Sequence, residues 1–237
     1  VSADAARAAR VAVVSGAASG IGAAIAGRLR RSGWRVAGLD LQTAADVDLA
    51  VRLDMTDAAA VAAAVARAED ELGPVEVAVS AAGHYAMAAL ADVDDEAWSR
   101  MLRVHLGGLL HLTRAVLPPM RSRRAGCLVA VGSEIAIGGG DGDSHYAAAK
   151  GAVHGFVRAL AAEVAPDGVR ANVVAPGPTD TPLLAADSPW RDPEYLRTLP
   201  ARRLVRADEI AETVRFVVEE ATFMTGEVVS PNAGAVI

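Results

Sequence analysis

The sequence is almost without lysine. Of 23 basic residues one is lysine, Lys150, and the others are arginine. A codon bias toward Arg and Ala accounts for the trend, and it makes the surviving ammonium informative, because a cation needed only for solvation would be arginine here. Cysteine occurs once, at Cys127, which excludes an intrachain disulfide. It stands in the apolar run Cys127–Val131 and reads as a small buried hydrophobe rather than a reactive thiol. No apolar run reaches the roughly 20 residues of a membrane span, and the Ala- and Arg-rich first ten residues carry no apolar signal core. The expectation is a cytoplasmic protein without a membrane partner. Basic tracts are missing as well. The formal net charge is -6, and the arginines of Arg121–Arg124 form only a short helix end, so the clustered cations that hold a phosphate backbone are not there. Neither a nucleic-acid partner nor a metal is expected.

What is present is a strand–helix alternation. The 237 residues, 52% of them apolar, suffice for one sizeable core. Val11–Ser15, Arg35–Asp40, Val75–Ser80, Leu128–Gly132, Ala171–Ala175 and Val228–Ser230 read as strands, with a further short one within Asp48–Asp54. Ile21–Arg31, Asp57–Leu72, Glu96–Met120, Tyr146–Ala165 and Asp208–Glu220 carry helical spacing. Continuous apolar strands imply a sheet covered on both faces, and their alternation with helices implies parallel order. The expected fold is α/β: a doubly wound, Rossmann-like parallel sheet of about seven strands with helices on both faces, in a single domain spanning residues 1–237. One stretch breaks the rhythm. Pro176 to about Val205 holds six prolines and four arginines, and residues 178–205 of it are expected to form a substrate loop.

The first strand closes on a glycine-rich turn. Gly16, Gly20 and Gly22 follow the spacing G-x-x-x-G-x-G, where the following helix begins. Glycines admit close approach of a pyrophosphate, and the free N–H groups of a helix start attract it. Ser19 offers a hydroxyl beside them, and Ile21 lies within the turn. Asp40 ends the second strand, 18 residues after Gly22. A carboxylate there accepts hydrogen bonds from ribose hydroxyls and repels a 2′-phosphate. No Arg or Lys occupies residues 17–19 or 41–43, so NAD is favoured over NADP. Asp54, at the end of the next strand, is a candidate acceptor for the adenine amine. Leu41, Met55, Ala82 and Gly83, which adjoin these strand ends, complete the expected cofactor wall.

Tyr146 and Lys150 are spaced i, i+4 on one helix face. A phenol is a poor base at neutral pH, and a cation one turn away lowers its pKa. Ser133 stands at the end of the apolar run Leu128–Gly132, where parallel sheets bind ligands, and can hold a substrate oxygen while Tyr146 moves the proton. The three form the expected catalytic set, with Tyr146 and Lys150 also touching cofactor. Glu134, next to Ser133, is expected to line the substrate side together with Ser133 and Tyr146.

Together these residues resemble the short-chain dehydrogenase/reductase family in its single-domain branch, over nearly the whole chain. Ser15–Gly22 is similar to the family's T-G-x-x-x-G-[IV]-G with Ser for Thr, and Asp54, Ser133, Tyr146 and Lys150 fall on its adenine-binding and catalytic positions. The run from Asn172 to Thr181 resembles its N-x-x-x-P-G-x-x-x-T, which implies that Pro176, Gly177, Thr179 and Thr181 surround a nicotinamide. The resemblance implies an NAD-dependent oxidoreductase that interconverts a secondary alcohol and a ketone, assembled as a homotetramer or homodimer. Two departures stand out. Ser80-Ala-Ala-Gly83 replaces N-[NA]-A-G, which weakens the expected strand support, and His105 replaces an Asn that holds a water next to the lysine. His105 is therefore a candidate for holding that water or relaying protons, or merely packs. An NAD-binding regulatory or scaffold protein with little turnover, and a non-redox lyase on the same fold, remain alternatives.

Overall fold

Uninterrupted apolar runs become strands buried on both faces. The computed structural model describes residues 10–237; residues 1–9, where the absence of a signal core was read, lie outside the described residues. In chain order the elements are β1 (Val11–Ser15), α1 (Gly20–Arg31), β2 (Arg35–Asp40), β3 (Leu49–Arg52), α2 (Ala58–Leu72), β4 (Val75–Ser80), α3 (Asp95–Leu102), α4 (Gly108–Arg123) and β5 (Gly126–Val131). There follow α5 (Ile135–Gly138), α6 (Ser144–Val164), β6 (Val169–Val174), β7 (Thr179–Asp180), α7 (Pro193–Thr198), β8 (Val205–Arg206), α8 (Ala207–Glu219) and β9 (Val228–Val229).

Seven strands form one parallel sheet in the order β3-β2-β1-β4-β5-β6-β9. The α2, α4 and α6 helices cover one face through Val61, Leu112, Val116, Val153 and Val157, against Val13, Leu39 and Ala130. The α1 and α8 helices cover the other through Ile25, Leu29, Ile210 and Val214, against Val14, Val36 and Val129. Each such fully buried Val, Leu or Ile contributes about 1.5–3 kcal/mol. The expected doubly wound Rossmann-like sheet is what the chain forms. β1 lies between β2 and β4, so the chain leaves it in opposite directions on its two sides. That reversal opens a crevice at the C-terminal ends of the strands.

Cys127 is fully packed in β5, and burial raises its thiol to about 11. Among the described residues no helix is long and apolar enough to cross a membrane, and no cluster of metal-ligating side chains occurs.

Two elements differ from the sequence reading. The helix expected over Glu96–Met120 runs from Asp95 to Arg123, but Arg103–Gly107 form a π-helical turn between α3 and α4. The extra residue in that turn displaces His105 into the protein, where it is buried. The stretch expected to be irregular, Pro176–Val205, is partly ordered. β7 and β8 pair at its two ends, and α7 forms within it, capped by the Asp192 side chain accepting from the Glu194 N–H at 2.6 Å. Arg191 ties this excursion to itself: its guanidinium donates to the Thr181, Leu184 and Ala185 carbonyls and pairs with Asp180 at 2.8 Å. Arg203 likewise pairs with Glu209. These two arginines are fasteners of the loop.

Candidate active site

Six consecutive strand ends meet one cavity of about 560 Å³. Gly16 follows β1, Asp40 ends β2, Asp54 follows β3, Ala82 follows β4, Ser133 follows β5 and Gly177 follows β6. All the residues expected from the sequence line this one space. Gly16, Ser19, Gly20, Ile21, Gly22, Asp40, Leu41, Asp54 and Met55 lie on the side of β1, β2 and β3. Ala82, Gly83, Pro176, Gly177, Thr179 and Thr181 come from the loops after β4 and β6. His105, Ser133, Glu134, Tyr146 and Lys150 close the other side.

The glycine-rich turn is built for close approach. Gly16 has φ of 71°, in the left-handed region that disfavours a side chain. A Cβ on Gly22 would lie 2.1 Å from the Gly16 carbonyl oxygen, so only glycine lets α1 start this close to the turn. Ser19 sits at the N-cap of α1 but its hydroxyl makes no capping bond, leaving both it and the first α1 N–H groups available. Asp40 supports the same turn from β2. Its Oδ2 accepts from the Ala18 N–H at 3.0 Å and its Oδ1 from the Gln42 N–H at 3.0 Å. Free amides at a helix start, a carboxylate at the neighbouring strand end and a long cleft between them fit the pyrophosphate and ribose of a dinucleotide.

The support that Asn was expected to give after β4 comes from elsewhere. Ser15 Oγ accepts from the Ala81 and Ala82 N–H groups at 3.0 and 3.2 Å, joining β1 to the loop after β4. Sequence reasoning passed over Ser15 as a conservative Ser-for-Thr variant. Ser15→Ala is expected to lower unfolding free energy by about 1–3 kcal/mol, since two backbone donors lose their partner; urea denaturation measures it. Asn172 performs a similar task between β6 and β9, donating to the Met224 carbonyl at 3.0 Å and accepting from the Glu227 N–H at 3.1 Å.

At the other side, Lys150 is buried and its Nζ donates to the Val131 carbonyl at 2.8 Å. It lies 5.7 Å from the centre of the Tyr146 ring. Burial lowers the Lys150 ammonium to about 8, with the Glu134 carboxylate opposing that fall. The Tyr146 phenol moves opposite to the expected direction. Burial raises it, the Glu134 charge raises it further, and the Ser133 hydroxyl opposes them. The desolvation of a phenolate outweighs any help from Lys150, so the phenol stays protonated at neutral pH. The tyrosine ring is fixed by edge-on contacts with Tyr85 at 5.1 Å and His105 at 5.5 Å between ring centres.

His105 Nε2 lies 2.8 Å from the His84 carbonyl oxygen, and its ring stacks on His84 at 5.4 Å. Its Nδ1 is buried without a hydrogen-bond partner. Burial, reinforced by Lys150, holds this imidazole well below its ordinary pKa, so it is neutral at physiological pH. Gly83 is what admits it: a Cβ there would meet the His105 ring at 2.5 Å.

Ser133 and Glu134 are both buried, and Ser133 Oγ and Glu134 Oε2 are 2.8 Å apart. His84, Tyr85 and Trp190 also line the cavity; His145 is buried and does not. Trp190 Nε1 donates to the Tyr85 hydroxyl at 3.0 Å, and Trp190 meets Tyr195 edge-on at 4.8 Å. All three tyrosines of this aromatic-poor chain thus face one space. The sequence reading missed Tyr195, and also Ala235 and Val236, which the tail brings to the cavity. Asn232 folds that tail by donating to the Val236 carbonyl at 2.8 Å and accepting from the Gly234 N–H at 2.8 Å. No spacing in the sequence signals this return, because it depends on where β9 ends.

Comparison with known proteins gives a consistent picture. Residues 16–235 match a family model described as enoyl-(acyl carrier protein) reductase. The chain is 34% identical over 235 residues to the 3-oxoacyl-[acyl-carrier-protein] reductase FabG of Escherichia coli (strain K12), covering 95% of this chain and 96% of that protein. It is 36% identical over 244 residues to the short-chain reductase protein NovJ of Streptomyces niveus, covering 94% and 93% of the two chains. It is 37% identical over 239 residues to the cis-4-hydroxycyclohexanecarboxylate dehydrogenase of Sinomonas cyclohexanicum, covering 95% and 96%.

Proposed function

Because the chain belongs to the short-chain dehydrogenase/reductase family of oxidoreductases, we propose that it interconverts a ketone and a secondary alcohol with NAD as its cofactor and Tyr146 as the group that moves the proton. The observation that carries this reading is the convergence of Ser133, Tyr146 and Lys150 at one side of a cavity whose other side is the glycine-rich turn and Asp40. A bound nicotinamide supplies or takes the hydride. The first α1 N–H groups and Ser19 would hold the pyrophosphate, Asp40 the adenosine ribose, and Thr179 and Thr181 the nicotinamide end.

The protein's own share of the chemistry follows from the protonation states. The protonated phenol of Tyr146 is poised to donate to a carbonyl oxygen, the step that reduction requires. Ser133 orients that oxygen. The Lys150 ammonium, still protonated below about pH 8, favours negative charge as it develops on the phenol oxygen. The wall of Tyr85, Trp190, Tyr195, Ile135, Leu184 and Val236 suits an apolar, ring-bearing or acyl ketone and keeps water from the reacting atoms. The excursion carrying Trp190 and Tyr195 acts as the substrate loop.

A panel of cyclic, aryl and acyl ketones, followed by nicotinamide absorbance with NADH and NADPH in parallel, tests the reading. No turnover of any ketone, or of the matching alcohols in reverse, would reject it. Asp40→Ala tests the cofactor preference. Loss of the charge-assisted bonds to the ribose is expected to lower kcat/KM with NADH by about 10–100-fold. Removal of the negative charge is expected to leave NADPH at least as good a substrate as before. An unaltered NADH-to-NADPH ratio of rates counts against NAD selection by this residue.

A further inference from the structure

Ser133 presents a donor-counting problem. A hydroxyl has one proton and two lone pairs. One lone pair of Ser133 Oγ takes the Ile135 N–H at 3.3 Å, and the Glu134 carboxyl lies 2.8 Å away on another side. If Glu134 is a carboxylate, it can only accept, so it takes the single Ser133 proton. Ser133 then faces a substrate oxygen with a lone pair, and two acceptors repel. If Glu134 is a carboxylic acid, it donates to Ser133 Oγ instead. Both serine lone pairs are then filled and the serine proton is turned to the side where Tyr146 and a substrate oxygen meet it.

We propose that Glu134 is a positioning residue for carbonyl reduction: in its acid form it turns the Ser133 hydroxyl proton toward the substrate oxygen, and in its ionised form it withholds that proton. This rests on the reading of the chain as a carbonyl reductase given above. The surroundings make the acid form accessible. Glu134 is buried at the start of α5, its backbone N–H donates to the Pro176 carbonyl at 3.0 Å, and no arginine pairs with it among the described residues. The groups around it are Asp143, Tyr146 and Lys150 from the α6 side, Tyr85 from the loop after β4 and Tyr195 from α7. Of these, only Lys150 carries positive charge; it acts on Glu134 through space, while its Nζ hydrogen bond goes to the Val131 carbonyl. Burial is the largest influence on the Glu134 carboxyl and raises it, and the Asp143 charge acts in the same direction. The sign follows: the acid form persists to higher pH than for an ordinary glutamate. The Ser133 proton is available to substrate below that pKa and is lost as pH rises through it.

The test is the pH dependence of kcat/KM for ketone reduction in the wild type, in Glu134→Gln, and in both again with Ser133→Ala. A glutamine amide donates to Ser133 at every pH. Glu134→Gln is therefore expected to remove the decline that the wild type shows as pH rises through the Glu134 pKa, and to exceed the wild type by about tenfold above it, the value of one hydrogen bond to the reacting oxygen. With Ser133→Ala the two profiles are expected to coincide, because Glu134 acts through Ser133. Infrared difference spectra between wild type and Glu134→Gln give a readout independent of turnover: a carboxylic-acid carbonyl band is expected on the acid side and is replaced by carboxylate bands as pH rises. Parallel profiles, a gain that survives Ser133→Ala, or carboxylate bands at every pH would overturn the proposal while leaving the reductase reading intact. Absence of carbonyl turnover in every variant would remove the reading itself, and this inference with it.

Discussion

Tyr146→Phe is expected to reduce kcat for ketone reduction by about 10²–10⁴-fold while the dinucleotide Kd changes by a few-fold at most. The size of the effect follows from what the substitution removes. The aromatic ring is held by edge contacts with Tyr85 and His105 that phenylalanine can repeat, so the wall of the site stays in place. What is lost is the one hydroxyl positioned to give a proton to a carbonyl oxygen. Ser133 can hydrogen-bond that oxygen, but an aliphatic hydroxyl is too weak an acid to give up its proton, and His105 is held in its neutral form with Nε2 at the His84 carbonyl. Single-turnover reduction, with binding followed by nicotinamide fluorescence, separates the two quantities. Turnover close to the wild type would reject the assignment. Because burial raises the phenol, reduction is expected to show no decline from Tyr146 ionisation at neutral pH. Alcohol oxidation, which needs the phenolate, is expected to rise with pH over the same range.

The second large effect is at Lys150. In a chain that otherwise uses arginine for its positive charges, Lys150→Arg is the informative exchange. It is expected to lower kcat/KM by about 10²-fold, despite keeping the charge. The Nζ is buried and donates to the Val131 carbonyl at 2.8 Å, a space that suits a compact ammonium. A planar guanidinium there would displace either β5 or the Tyr146 ring. The pH profile gives a second readout. The wild-type reduction rate is expected to fall as pH rises through about 8, where Lys150 loses its proton. The arginine variant is expected to lack that fall, since a guanidinium does not titrate in this range. Circular dichroism melting of the variant separates a lost function from a lost fold. A variant with the wild-type rate, or an unchanged alkaline fall, would show that the ammonium has no part in the reaction.

Those two residues were legible because the chemistry confines them to one helix, four positions apart, where geometry is set locally. The glycine-rich turn was legible for the same reason: the close approach of Gly22 to Gly16 lies within a single strand–turn–helix unit. Asp40 was found from its distance along the chain, because a strand and a helix of ordinary length separate it from the turn. Other parts of the site left no such trace. Ser15 looked like a conservative replacement, yet it carries the support expected of an Asn at position 80. His105 stood in a helical run with nothing to show that a π-helical turn would bring it against Tyr146. The direction of the Tyr146 pKa was misread because sequence spacing reports the neighbouring ammonium but not the depth of burial.

The sequence by itself determined the elements, their alternation, the parallel sheet and the residue types that handle phosphate, ribose and proton. Each of these depends on periodicity or on contacts within a few residues. Only the tertiary structure decided how far the phenol is desolvated, and that Trp190, Tyr195 and Val236 share a wall with Tyr85. Those outcomes depend on segments brought together across the sheet from more than a hundred residues apart. Electrostatic energies at such junctions follow the local dielectric, which no stretch of sequence specifies alone.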